Sequence, residues 1–586
     1  MLFGKYINKY YLKYSWVIII GIIALFLVDI AQLEIPEIYS TIIDGLNGNQ
    51  ELLTKSKLLD LCGDMFIIVL IMVVGRMLWR LCFFGSAVKV VASIRRKMFD
   101  HCKDLPQEYY SKNKVGGLMS LFTNDLGTIE ECFGDGILML FDAIGLGSLA
   151  IYKMFILNKT LAILSILPLV LLIIIGIVVG RFMERKWKLR QEAFSTLSDF
   201  SQESFSGIAV IKAFVKETKE LWHFKKLNKN NEKANIEFIK ASTLLHILIT
   251  LLVQSVMCLI LGYGGYLVYI GTSNFTIGSL IEYMSYFNST IWPMMAISSL
   301  IEMTSRGKAS LGRISELLDY ANNIKDSKDV LDIKEIKGTI EFKNLTFKYP
   351  NTDVEVLNNI SFKINRGENI GVIGKTGCGK TTIVDLILRM YNVDDNTLFI
   401  DNIDINKIPI KVIRNSIAYV PQDNFLFSDT IENNIAFAYE NIDENEVIQA
   451  AMLADVHDNI IEFEKGYKTI LGERGVTISG GQKQRTSIAR ALMKNASILI
   501  LDDSVSAVDT KTEKIILENL RNTRIGKTTI LIAHRISTVQ SLDRILFVDE
   551  GKILGFDTHE NLYKSLDEYR NLVNLQKLEE EKGGNE

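Results

Sequence analysis

Cysteine and histidine are scarce in this chain, with six of each among 586 residues. The cysteines, Cys62, Cys82, Cys102, Cys132, Cys258 and Cys378, are scattered without a C-x-x-C pair, which argues against a structural zinc site and against a disulfide framework. They read as reduced core or membrane cysteines. Neither sign of charge is in excess: 65 basic residues against 68 acidic ones leave a net charge of −3, so nothing in the balance points to nucleic acid as a partner. Long linkers are missing as well. No A-x-A site follows the first hydrophobic run, Trp16 to Val28, which is therefore read as a retained first helix and not as a cleaved signal. What the sequence does have is apolar bulk. Hydrophobic residues make up 48% and charged residues 23%, and mean hydropathy is +0.19. The charged fraction excludes disorder, and the apolar excess requires that part of the chain lie in lipid.

Crossing ~30 Å of hydrocarbon takes ~20 helical residues, and every run of that kind lies before residue 305. Thr160 to Gly180, Ala241 to Gly271 and Tyr283 to Ile301 are free of Asp, Glu, Lys and Arg. Three further runs, Ser15 to about Tyr39, Met65 to about Phe84 and about Asp135 to Tyr152, are interrupted by charge. The expectation is six spans. Pro36, Pro168 and Pro293 fall inside them as candidate bends, tolerated where neighbours satisfy the freed carbonyls. Intramembrane charges are costly and usually face a cavity or a partner. Asp29, Gln32, Glu34, Glu37, Arg76, Arg80 and Asp142 are therefore candidates either for a polar substrate path or for ion pairs locking the helices. Lys and Arg concentrate in the stretches Lys89 to Lys114 and Arg181 to Lys240, while the opposite loops are short and carry few. This asymmetry places the N-terminus, and everything after residue 305, in the cytoplasm.

Beyond a polar stretch near Asn322 to Lys337 the composition becomes that of a soluble α/β domain. The strand-like run Asn369 to Ile373 leads directly into Gly374, Lys375, Thr376, Gly377, Cys378, Gly379, Lys380, Thr381 and Thr382, followed by apolar residues at helical spacing. This is G-x-x-x-x-G-K-[ST] in its strand–loop–helix context. Its glycines let backbone N–H groups surround phosphate, its lysine reaches the β and γ oxygens, and Thr381 offers a hydroxyl to Mg²⁺. Farther on, Ser497 to Leu501 reads as a buried strand ending in Asp502 and Asp503, the carboxylates needed to hold Mg²⁺ and to orient a water beside the γ-phosphate. Ser479, Gly480, Gly481 and Gln482 open a further helix. A turn of that kind at a helix N-terminus is a second phosphate-shaped surface, and two such surfaces imply ATP held between two domains.

On these residues the chain resembles a half-transporter of the ATP-binding-cassette (ABC) superfamily, exporter type, over nearly its whole length and most specifically over 338 to 565. The resemblance implies a multi-domain fold: an all-α six-helix transmembrane domain (1–310), a linker (311–337), an α/β P-loop nucleotide-binding domain (338–575) and an acidic tail (576–586). It implies that Tyr349 stacks on adenine and that 374–382 form the phosphate loop, with Mg²⁺ held by Thr381, Gln422 and Asp502. It further implies that Ser479 to Gln482 close on the partner's ATP, that Asp509 communicates between sites, and that His534 contacts the γ-phosphate. Gln422 would also reach the attacking water. The cytoplasmic segments Tyr109 to Ser120 and Ser204 to Phe214 match the places where such exporters put coupling helices.

One residue departs from that pattern. Similar cassettes usually carry Glu after the Mg²⁺ aspartate, as base for the attacking water, and here it is Asp503. A carboxylate one methylene shorter sits ~1 Å back from the water, a misplacement that can cost ~10²-fold in rate. The signature is intact apart from Ile478, where Leu is commoner. This asymmetry favours a heterodimer whose partner supplies Glu, as in the degenerate-site subunits of bacterial heterodimeric multidrug-type exporters, over a homodimer. The expected partners are a second half-transporter chain, membrane lipid and an amphiphilic substrate (drug, lipid or peptide), with a bacterial inner membrane as the location. An ATP-gated membrane regulator that does not pump is the alternative from another class.

Overall fold

The computed structural model describes residues 4–47, 54–271, 275–327, 329–350, 352–472, 475, 478–505 and 508–583; the side chains of 169–181, 184, 298 and 579–583 lie outside that description. Also outside it are Ser506 and Ala507 of the acidic-strand run and the last three residues of the expected acidic tail. The chain divides into two compact units. One comprises Met1–Lys103 with Val115–Tyr320, the other Asp104–Lys114 with Ala321–Glu586.

The first unit is helical, as expected of chain in lipid, where backbone polar groups must be satisfied within the segment. Its long helices are α1 (Ser15–Leu46), α2 (Lys55–Cys102), α3 (Leu126–Leu157), α4 (Lys159–Ser206), α5 (Glu217–Tyr269) and α6 (Ile277–Asp319). Side-chain caps start three of them: Thr54 accepts from the Lys57 amide at 3.4 Å, Asn158 from the Leu161 amide at 3.0 Å and Thr276 from the Ser279 amide at 3.1 Å. Asp44, near the end of α1, accepts from the Gly278 amide at 2.9 Å and so ties α1 to the first turn of α6. Pro36, Pro168 and Pro293 lie inside α1, α4 and α6, as the sequence places them. Helices α1 and α2, α3 and α6, and α4 and α5 pack pairwise. Tyr283, Tyr286 and Phe287 on α6 are fully buried, and the Ser165 and Tyr283 hydroxyls are 2.6 Å apart.

Among the described residues, four helical stretches are long and apolar enough to cross a bilayer: Ser15–Leu46, Lys55–Cys102, Val115–Leu157 and Glu217–Tyr269. The expectation of six therefore rests on sequence alone for α4 and α6. The apolar run of α4 extends into residues whose side chains are not described, and Tyr283 to Ile301 on α6 carries Ser285, Asn288, Ser289 and Thr290. Polar residues on a packed helix lower its hydropathy without exposing them to lipid. Thr290 is buried and donates to the Phe287 carbonyl at 2.7 Å.

The second unit contains two sheets. Strands β1 (Ile340–Lys348), β2 (Glu355–Ile364), β4 (Leu398–Ile400) and β5 (Ile403–Asp404) form an antiparallel sheet in the order β2-β1-β4-β5. Strands β3 (Asn369–Ile373), β6 (Ile417–Val420), β7 (Ile498–Asp502), β8 (Thr528–Ile532), β9 (Arg544–Asp549) and β10 (Lys552–Asp557) form the other, ordered β10-β9-β3-β8-β7-β6 and parallel except at β10. Strand alternation splits the core. Ile498 and Ile500 of β7 join one apolar cluster, Leu499 and Leu501 the other, because successive side chains point to opposite faces. Three helices matter for the site: α7 (Lys380–Ile387), α8 (Gly480–Met493) and α9 (Asp567–Gly583). The short helix Gln107–Lys112 also belongs to this unit.

Candidate functional site

In the six-stranded sheet β3, β8, β7 and β6 are neighbours and run parallel. Their carboxyl ends therefore share one edge, the place where open α/β sheets bind ligands. The loop 374–379 leaves β3, His534 follows β8, Asp502 ends β7 with Asp503 directly after it, and Gln422 follows β6. Four segments far apart in sequence thus meet.

The loop's shape depends on its glycines. Gly377 and Gly379 adopt φ of +81° and +103°, conformations that side chains rarely tolerate. A Cβ at Gly379 would also come within 2.7 Å of Leu357. Lys380, only 7% exposed, donates to the carbonyls of Gly374 and Lys375, at 2.8 Å each. Its ammonium is thereby held inside the loop. Lys375 pairs with Asp549 at 3.1 Å, and Thr376 is exposed. Cys378 is buried, 3.9 Å from the lysine Nζ, and burial pushes its thiol up in spite of that cation. The loop thus holds a buried thiol and not an exposed, activated thiolate.

Asp502 is buried beside Thr381, and burial holds its carboxyl above the usual range. Its Oδ2 atom has no protein partner. A buried carboxylate oxygen left over beside an exposed hydroxyl fits a hard divalent cation, whose ligands are oxygens. Tyr419, on β6, also lies against Asp502; the sequence reading missed it. Asp503 has φ of +48°, a conformation that Asp tolerates better than most residues. Its amide donates to the Ile532 carbonyl at 3.0 Å, and its carbonyl accepts from Gln484 Nε2 at 3.2 Å. Gln484, a second residue missed on sequence, thus links α8 to Asp503. His534 is half-buried and Gln422 exposed.

Tyr349 is half-buried, with its hydroxyl 2.9 Å from that of Thr382 and its ring edge-on to Tyr391 at 5.0 Å. Ser479 caps α8 in a reciprocal box with Gln482: the Gln482 amide donates to Ser479 Oγ at 3.2 Å, and the Ser479 amide to Gln482 Oε1 at 3.0 Å. The box leaves Gly480 open, with no atom within 4 Å of a would-be Cβ. Among the described residues no hydrogen bond joins 479–482 to the phosphate loop. Asp509 accepts from the amides of Lys511 and Thr512, at 3.1 and 3.0 Å, as the cap of the next helix.

Asp385 on α7 lies near Tyr349 and Asp502, and its carboxyl is pushed up to about 6, by burial first and by Asp502 second. A folded-state value above the unfolded one penalises the ionised folded form. The part of the stability that Asp385 controls is therefore highest below about pH 4 and declines as pH rises through about 6. Asp385→Asn is expected to remove this slope and to stabilise the nucleotide-free protein at pH 7.5 by about 2 kcal/mol. Thermal midpoints from pH 4 to 8 check this, and an equal slope in the variant would refute it.

In the helical unit most intramembrane candidates have partners. Lys153 bridges Glu34 and Glu37 at 3.1 and 3.0 Å. Arg76 donates to Gln32 at 3.2 Å, and Arg80 lies 5.4 Å from the centre of the Trp79 ring. Asp29 and Asp142 are different. Both are buried, Asp142 accepts from the Trp292 indole at 2.6 Å, and Asp29 Oδ2 has no partner. Asp29 lines a cavity of about 350 Å³ walled by Phe26, Phe141, Ile144 and Gly145.

Residues 18–294 match the ABC transporter transmembrane region, and 357–506 match the ABC transporter family. The chain is 36% identical to the probable multidrug resistance ABC transporter ATP-binding/permease protein YheI of Bacillus subtilis, over 98% of this chain and 97% of the relative. It is 34% identical to the multidrug resistance-like ATP-binding protein MdlA of Escherichia coli, over 97% and 96%. With the ATP-dependent lipid A-core flippase of Syntrophus aciditrophicus it shares 33% identity over 86% and 83%. The solved structure of a bacterial Atm1-family ABC exporter with ATP bound has the same fold, with a TM-score of 0.75 at 23% identity over 97% and 98% of the two chains. The chain belongs to the ABC transporter family, with the transmembrane region and the ATP-binding region of an ABC exporter fold on a single polypeptide.

Proposed function

We propose that this chain is one half of an ATP-driven exporter of small or amphiphilic substrates, with six membrane crossings in a bacterial inner membrane and its N-terminus and cassette in the cytoplasm. The convergence of the phosphate loop, Asp502, Asp503, Gln422 and His534 on one sheet edge carries the reading. ATP entering the loop gives Lys380 phosphate oxygens in exchange for the carbonyls of Gly374 and Lys375, and Tyr349 stacks on the adenine. Thr381 and Asp502, with Gln422, would hold Mg²⁺, which neutralises charge on the phosphates. His534 contacts the γ-phosphate, and Asp503 orients water from a retracted position, so this site turns over slowly. Ser479 to Gln482 face the ATP of a second half-transporter chain, and Asp509 links the two sites. The expected complex is a heterodimer whose partner supplies Glu where this chain has Asp503. Closure of the cassettes on ATP drives the membrane unit outward-facing, and hydrolysis resets it.

The relatives named for multidrug resistance support a small-molecule substrate, and the flippase relative keeps a lipid open as the second reading. The unpaired Asp29 oxygen at an apolar cavity favours a lipophilic cation, Asp142 and the nearby Arg76 tuning the local charge. In proteoliposomes of the full chain with its partner, ATP-dependent accumulation of tetraphenylphosphonium is expected. Asp29→Asn should raise its KM by about 10-fold and leave accumulation of neutral triphenylphosphine unchanged. ATP-dependent movement of a fluorescent lipid without the cation would decide for the second reading. No accumulation of either, with ATP binding intact, would sink the exporter reading in favour of a non-pumping regulator.

A further inference from the structure

The final helix of the chain grips the loop that carries His534. Tyr569, Val573 and Gln576 of α9 share one face, at spacings of four and three residues. Tyr569 and Val573 are fully buried in the apolar cluster that also contains Ile536 and Val539. Gln576 continues that face as a polar residue, and both ends of its amide are used. Its Nε2 donates to the His534 carbonyl, and its Oε1 accepts from the Ile536 amide, each at 2.7 Å. The short helix Ile536–Val539 has no side-chain cap of its own from Arg535, so Gln576 supplies the acceptor that its first free N–H lacks. On the other side of the histidine, the Ala533 amide donates to the carbonyl of Val372 at 3.1 Å, in the strand that leads into the phosphate loop.

We propose that Gln576 is a positioning residue for the nucleotide site. It fixes the backbone on both sides of Arg535 and thereby sets the height of the His534 imidazole over the γ-phosphate. The inference rests on the reading of His534 as the γ-phosphate contact. A helix outside the nucleotide site thus becomes part of how the site tells ATP from ADP, since ADP lacks the group that His534 would touch.

The test uses the purified full-length chain and compares Gln576→Met, which keeps length and apolar packing but makes neither bond, with Gln576→Glu, which keeps only the acceptor. Binding of ADP and of a non-hydrolysable ATP analogue is measured for each, beside His534→Ala and the double variant. The expected result is unchanged ADP affinity with analogue affinity lowered about 10-fold in Gln576→Met, the loss of two hydrogen bonds. Gln576→Glu should show a smaller loss, and the double variant should be no weaker than His534→Ala. If His534→Ala lowers analogue affinity and Gln576→Met does not, the inference is overturned while the reading of His534 stands. If His534→Ala leaves the ratio of analogue to ADP affinity untouched, the reading of His534 falls and the inference with it. A parallel loss of both affinities with a lowered thermal midpoint would make Gln576 a packing residue only, and would also overturn it.

Discussion

Replacing Asp503 by Glu is expected to raise ATP turnover at this chain's own site by about 10²-fold. The added methylene returns the carboxylate to the attacking water, while the backbone that presents it stays tied to Ile532 and to Gln484. The substitution should also lower stability by about 1 kcal/mol, because Asp503 sits at φ +48° and Glu tolerates the left-handed region less well than Asp. Turnover is measured on the full-length chain alone and in complex with its partner, the partner's own site being disabled at its phosphate-loop lysine. Unchanged turnover in Asp503→Glu would mean that carboxylate reach does not limit the reaction. Rapid turnover by the wild-type chain alone, abolished in Asp503→Asn, would refute the proposed heterodimer.

Lys380→Met should lower ATP affinity by about 100-fold. A charge-assisted hydrogen bond contributes ~1.5–3 kcal/mol, and a tenfold change in affinity corresponds to about 1.4 kcal/mol, so losing the ammonium's bonds to phosphate suffices. Met keeps the length and the helix, and it leaves the carbonyls of Gly374 and Lys375 without the donor that holds them now. The loop should therefore also become less ordered without nucleotide. Equilibrium binding of ATP and ADP, read with the thermal midpoint, separates the two effects. Wild-type affinity in the variant would show that the lysine belongs to the loop's architecture and not to phosphate recognition.

The primary sequence alone determined that two solvents act on this chain, that a phosphate loop stands between a strand and a helix, and that an acidic strand follows it. Those features are local. A run of apolar residues, a glycine pattern or a strand ending in two aspartates imposes its physics within ten or twenty residues, so the helices around Pro36, Pro168 and Pro293 and the strand–loop–helix at 369–387 were legible in advance. The same holds for the helix that Ser479 opens, whose cap is closed by Gln482 three positions away, whereas the cap that Asp509 makes for the next helix was not read in advance.

Only the tertiary structure decided which residues meet. Strand order places β3, β8, β7 and β6 side by side, and no local pattern encodes that order. Tyr419 and Gln484 were missed because a tyrosine in a short strand and a glutamine inside a helix have no distinguishing spacing. Their roles come from what the fold sets beside them, Asp502 and the Asp503 carbonyl. Among the intramembrane charges, sequence could not tell Glu34 and Glu37, both paired with Lys153 from another helix, from Asp29, left facing a cavity. The difference is one of pairing across helices. Gln576 shows the same limit at the other end of the chain, where composition reads as an acidic tail. Its position in register with Tyr569 and Val573 was the available signal, but only the packed helix brings its amide against both sides of the His534 loop.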